Sequence, residues 1–142
     1  MDRKIDLTGE TRLRVRYAET DKMGVVYHSN FLIWMEIGRV ELLRQLGFDY
    51  RNMEREDNCH IPVVDVHVRY KAPALYDDEI LVRTCLTNAR RSLLEFSYQV
   101  LREAGEVLLA EGKTTHIIVD DKLQRSSLPD KYIAAFGTRR HK

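Results

Sequence analysis

At 142 residues, with 44% hydrophobic and 32% charged residues, the chain has the size and balance of one globular domain with a single sizeable core. Its formal net charge of +1 excludes a broad nucleic-acid surface, which carries a strong basic excess. No apolar run approaches the roughly 18 residues of a membrane-spanning helix. The opening stretch, MDRKIDLTGETRLRVR, has no apolar signal region, and Cys59 and Cys85 stand without CxxC spacing, so a cytoplasmic protein with reduced thiols is expected.

In chain order, residues 11–17 (TRLRVRY) alternate, with Leu13, Val15 and Tyr17 on one face and Arg12, Arg14 and Arg16 on the other, which predicts a half-buried strand. A polar loop, residues 18–30, contains Gly24 and ends in Ser29 and Asn30, residue types that favour helix starts. From Phe31 the period becomes helical and runs to Leu46, where Gly47 stops it. The helix is apolar all round in its first two turns and amphipathic after them, so its N-terminal end is expected to lie deep and its C-terminal end to surface. Residues 48–59 are charged and irregular, with room for one short helical turn.

Four strand-like runs follow, over residues 63–71, 80–86, 94–100 and 107–119. They are separated by turns at 75–79, by the polar break NARRS at 88–92 and by the hairpin EAGE at 103–106. Gly112 inside the last run predicts a bulge or a close backbone contact. Pro129 opens a short C-terminal helix, and residues 1–10 and 138–142 are expected to be flexible ends. One long helix with five strands joined by short turns is an α+β arrangement with a mostly antiparallel sheet. A single helix covers one sheet face. The other carries Leu81, Leu101, Leu109, Ile117 and Val119, so association through the sheet is expected.

One place in the chain points to chemistry. Asp21 is an isolated acid in a tight loop that runs into the long helix, whose first backbone N–H groups, around Tyr27 and His28, have no intrahelical acceptor. A carboxylate facing such donors suits acyl transfer, the donors stabilising an oxyanion and the acid activating water or attacking the carbonyl itself. An acid in this position also caps a loop or a helix, and the residues by themselves leave both readings open.

The string RVRYAETDKMGVVYHSNFLIWME, from Arg14 to Glu36, resembles the signature of the 4-hydroxybenzoyl-CoA thioesterase branch (tol-pal-associated type) of hot-dog-fold acyl-CoA thioesterases. VRYKAPALYDDEILVRT, residues 68–84, is similar to that family's next conserved segment, so the likeness covers nearly the whole chain. The resemblance implies a hot-dog fold: one domain over residues 1–142, its five-stranded sheet wrapped around a central helix. It implies an acyl-CoA thioesterase in which Asp21 is the catalytic carboxylate and the His28 backbone N–H binds the thioester oxygen. Tyr27 and Asn30 line the acyl pocket and shape the loop. A related branch takes its acid from the helix, where Glu36 stands in this chain beside Arg39. Arg90, Arg91 and Ser92 form the most concentrated basic turn inside the fold and suit the CoA phosphates, in the resembling family often across a subunit boundary. Arg69 and Lys71 are weaker candidates for that role, and Arg139 and Arg140 are tail charges.

The expected substrate is an acyl-CoA or an acyl-carrier protein, with the chain in a homo-oligomer, dimer or tetramer. His60, His67 and His116 form no close-spaced ligand pair, so no metal is expected, and no cofactor is implied. No GxSxG elbow or glycine-rich phosphate loop occurs. Two alternatives remain: a hot-dog hydratase or dehydratase pairing His28 with Asp21, and a non-catalytic acyl-CoA or acyl-carrier binding module.

Overall fold

A computed structural model describes residues 7–137; the expected tail from residue 138, with Arg139 and Arg140, lies outside the described residues. The strands are β1 (Leu7–Arg14), β2 (Val63–Tyr70), β3 (Glu79–Arg90), β4 (Leu93–Arg102) and β5 (Val107–Ile117). They form one five-stranded sheet in the order β1-β3-β4-β5-β2, and every neighbouring pair is antiparallel. The sixteen-residue helix α1 (Asn30–Gln45) lies on one face against β1, β3 and β4. Two short helices, α2 (Tyr50–Glu56) and α3 (Asp130–Phe136), complete the chain, and Pro129 is the residue just before α3 rather than within its first turn.

Strands β1 and β3 have boundaries that differ from expectation. β1 begins at Leu7 and pairs with β3 from Leu7↔Leu86 to Arg14↔Glu79, so residues 7–10, expected to be flexible, are strand. It also ends early. The Val15 amide turns to Asp78 O, and Tyr17–Glu19 wind into a single tight turn that leaves Tyr17 exposed rather than in the sheet's inner face. β3 runs through the expected break as far as Arg90. Its polar residues find cross-strand partners, Thr87 Oγ1 to Glu95 O and Asn88 Nδ2 to Glu95 Oε1, so only Arg91 and Ser92 make the turn.

The seat of α1 on the sheet depends on Gly38. A Cβ there would stand 2.4 Å from Thr84 Oγ1 and 2.8 Å from Val82 Cγ1, so the missing side chain sets how closely helix and strand approach. Gly112 resolves as a close contact in the same way, since the Met35 side chain lies where its Cβ would be. The irregularity in the β4–β5 pairing falls elsewhere, at Val100 and Leu101.

The sheet residues expected to be open are mostly covered, and Ile117 is half-buried. Leu109 belongs to the core, and Leu81, Leu101 and Val119 are buried. The slip at Leu101 sets Leu81, Leu101 and Leu108 in cross-strand register, where they cover one another. Both halves of α1 bury one face, Phe31, Trp34 and Met35 in the first and Leu42 and Leu43 in the second, and the N-terminal half is open only on its other side. Leu32, Ile33 and Ile37 on α1 and Val63, Val64 and Val66 on β2 are between 39 and 53% exposed. The β2 residues lie on an edge strand of the sheet.

A buried polar chain runs beneath α1. His116 Nδ1 lies 3.0 Å from Ile61 O, which only accepts, so Nδ1 carries the proton of the neutral ring and Nε2 accepts from Thr114 Oγ1 at 2.8 Å. Thr114 in turn accepts from Tyr98 Oη at 2.6 Å, and Tyr98 accepts from Arg39 Nη1 at 3.1 Å. Arg39 therefore faces the sheet and not Glu36. Burial and the Arg39 charge lower the His116 pKa from 6.5 to about 4. The unfolded chain gains a proton here as pH falls through about 6.5, and the native chain does not until about 4. The His116 contribution to stability, about 3 kcal/mol, is therefore lost across that window and changes no further below it. Urea midpoints measured from pH 7 to 4 are expected to show this slope, and His116→Gln to flatten it.

Candidate active site

The loop between β1 and α1 is closed by a bridge between Thr20 and Val26 and by the Asp21 N–H bond to Val25 O. Gly24 takes a φ of +83° at its tip, a conformation that suits glycine. Asp21 Oδ1 accepts from the Met23 N–H at 2.8 Å and the Val25 N–H at 3.3 Å. Its other oxygen makes no hydrogen bond among the described residues, and the side chain is exposed. The two readings of this acid are thus compatible: one oxygen fastens the loop and the other faces solvent.

The helix start is more constrained than expected. The Tyr27 N–H is not open, since it donates to Glu19 O at 2.9 Å, and the Asn30 N–H donates to Tyr27 O. The His28 N–H has no acceptor among the described residues. Asn30 does not cap the helix; its Nδ2 crosses to Glu19 O at 3.0 Å, and Ser29 makes no side-chain cap. The His28 carbonyl accepts from Tyr70 Oη at 2.8 Å, which fixes the peptide from the β2 side. Rings surround it: Tyr27 lies 4.4 Å and Tyr70 6.2 Å from the His28 imidazole, and Phe31 lies 5.1 Å from Tyr70. The imidazole is packed among these rings and shares no hydrogen bond with Asp21, which gives a His–Asp hydratase pair no geometric footing.

Asp21, Tyr27, His28 and Asn30 therefore meet at one junction. Arg90, Arg91 and Ser92 do not join them. The loop leans on the segment before β3, through Val26 N–H to Ala74 O and a bridge from Val25 to Leu75, whereas the arginines stand at the far end of β3. Twelve residues of strand separate the two ends, roughly 40 Å at about 3.3 Å per residue. Lys71 pairs with Glu111 at 3.6 Å, and Glu36 is exposed on α1.

Two residues escaped the sequence reading. Tyr70 was legible only as one more apolar position in an alternating strand, and its hydroxyl gave no sign of a partner 42 positions away. Glu19 was one acid among the polar residues of the loop, yet it is buried. Among the described residues, no group of three or more His, Cys, Asp or Glu side chains is placed to hold a metal, and no helix is long and apolar enough to cross a membrane.

A five-stranded antiparallel sheet with a helix laid on one face is the arrangement of the hot-dog fold. Residues 15–136 match the family model of the thioesterase-like superfamily, and the chain belongs to that family. It is 39% identical over 124 residues to YneP of Bacillus subtilis, covering 87% of this chain and 86% of that protein. The DHNA-CoA thioesterase of Staphylococcus aureus superposes with a TM-score of 0.87 at 33% identity, covering 92% of this chain and 89% of that one. The 4-hydroxybenzoyl-CoA thioesterase of Pseudomonas sp. strain CBS-3 shares the fold, with a TM-score of 0.82 at 20% identity over 90% of this chain and 98% of that one.

Proposed function

We propose that the protein hydrolyses an acyl-CoA thioester to a free acid and CoA at the junction of the Asp21 loop and α1. The observation that carries this reading is the His28 N–H: it has no acceptor among the described residues, the carbonyl of the same residue is held by Tyr70, and it follows on the same closed loop as Asp21. The thioester oxygen accepts from this amide, which stabilises the oxyanion as the carbonyl is attacked. Asp21 supplies the attack, by deprotonating water or as the nucleophile. The thiolate leaves without a dedicated acid, because a thiol ionises far more readily than an alcohol. The aromatic rings of Tyr27 and Tyr70 flank the acyl group.

The site is completed by a second copy of the chain. β1 guards its edge with charge, through Arg12–Glu103 and Glu10–Arg83 pairs, whereas β2 presents valines and open backbone beside the exposed face of α1. A two-fold pairing of β2 with β2 buries both and continues the sheet. Antiparallel pairing also exchanges the strand ends, so that Arg90 and Arg91 of the partner subunit come to the end where Asp21 lies. Their guanidinium groups then hold the CoA phosphates. The homo-oligomer is this dimer or a tetramer of it. A cytoplasmic location accompanies the reading, supported by the absence of a disulfide at Cys59 or Cys85.

Release of thiol from a panel running from acetyl-CoA through palmitoyl-CoA to benzoyl-CoA tests the proposal. Turnover of at least one member is expected; binding without release from any would identify a binding module instead.

A further inference from the structure

Resting on the site just proposed, we infer that Glu19 is a positioning residue that sets the distance between the Asp21 carboxylate and the His28 amide. It lies two residues before Asp21, 4% exposed, and every polar group it has is used. Its Oε1 accepts from the Arg16 N–H at 2.8 Å, and its Oε2 accepts from Trp34 Nε1 at 3.0 Å and Arg16 Nη2 at 3.3 Å. Its carbonyl accepts from the Tyr27 N–H at 2.9 Å and from Asn30 Nδ2 at 3.0 Å. The side chain thus grips the chain before the loop and one turn into α1, and the main chain grips the residues on either side of His28.

The consequence is mechanical. The loop leaves Glu19, carries Asp21, and returns to Glu19 at Tyr27, one residue before the oxyanion donor. Moving the Glu19 carboxylate shifts both arms of that return against the helix. Burial alone pushes the Glu19 carboxyl up, but the Arg16 amide, the Trp34 indole and the Arg16 guanidinium more than offset it and hold it below its usual value. The ionised form, with no proton of its own, can accept all three donors, which a glutamine cannot do with equal geometry.

Glu19→Gln and Asp21→Asn, made in the whole protein, separate this role from a structural one. With the best acyl-CoA of the panel, Glu19→Gln is expected to lower kcat by about 10²-fold, the loss an ångström-scale misplacement brings. KM is expected to stay within about threefold, because CoA binding is not touched. Trp34 is the only tryptophan in the chain, so its emission is expected to shift in Glu19→Gln while the far-UV circular dichroism does not. Wild-type kcat in folded Glu19→Gln overturns the inference, as does a kcat that falls in parallel with the folded fraction and recovers with it on cooling. Should Glu19→Gln not fold, Trp34→Phe removes the indole donor together with part of a buried ring; a lowered kcat at an unchanged folded fraction supports the inference and an unchanged kcat overturns it. If Asp21→Asn keeps full turnover, the reading of the site itself fails, whereas a dead Asp21→Asn beside a fully active Glu19→Gln removes the Glu19 inference alone.

Discussion

Asp21→Asn is expected to lower thioester hydrolysis by about 10²- to 10⁴-fold, the range a positioned acid or base contributes. The substitution isolates chemistry from structure because of how the side chain is held. Oδ1 accepts from the Met23 and Val25 amides, and an asparagine carbonyl oxygen in the same place accepts both. The loop therefore keeps its shape, and only the charged oxygen facing solvent is replaced by an amide nitrogen, which neither accepts a proton from water nor attacks a carbonyl. Retained thermal stability with lost turnover is the expected pair of results. Full thiol release from the variant would move the chemistry away from Asp21, and Glu36 on α1 would be the next acid to test.

The second large effect concerns assembly. Val64→Lys on β2 and Ile33→Glu on α1 place a charge on the open apolar face in a region where the single chain has nothing to collapse around it, so the fold of each subunit survives. Light scattering is expected to show a monomer, with unchanged circular dichroism. Activity should fall at least about 100-fold in kcat/KM, because charged contacts of this kind carry several kcal/mol of binding when phosphates are gripped bidentately. The loss should appear chiefly in KM for CoA esters, since Asp21 and the His28 amide stay in place while Arg90 and Arg91 of the partner subunit depart. A fully active monomer would separate the arginines from the substrate, and an unchanged oligomer would put the interface on another face.

The buried chain from Arg39 to His116 explains a feature that the linear pattern concealed. An arginine on a helix with an acid three residues before it reads as half of a surface ion pair. Tertiary packing brings Tyr98 and Thr114 under the helix, and a buried hydroxyl without a partner costs more than a surface pair contributes. The arginine therefore turns inward. Its charge then opposes protonation of His116, which ties the acid sensitivity of the fold to the same helix that carries the site.

What the sequence by itself determined is the local layer. Alternation placed five strands, helical period placed α1, and both follow from side-chain geometry along a single element. The TD-x-x-G loop and the helix after it were legible as a unit, because the residues that build that junction lie within ten positions of one another. Only the tertiary structure decided the rest. It moved β1 towards the N-terminus because its length is set by partners on β3, and it carried β3 through a polar stretch because Glu95 supplied cross-strand bonds. It buried Leu81 and Leu101 through a register slip that no alternation encodes, and it left Leu32, Ile33 and Ile37 of α1 exposed while Phe31, Trp34 and Met35 on the same turns are buried. It separated Asp21 from Arg90 by the length of a strand and joined Glu19 to Trp34 and Tyr70 to His28. Contacts between distant positions depend on which strands pair and how tightly a helix sits on them, and that is a property of the packed whole.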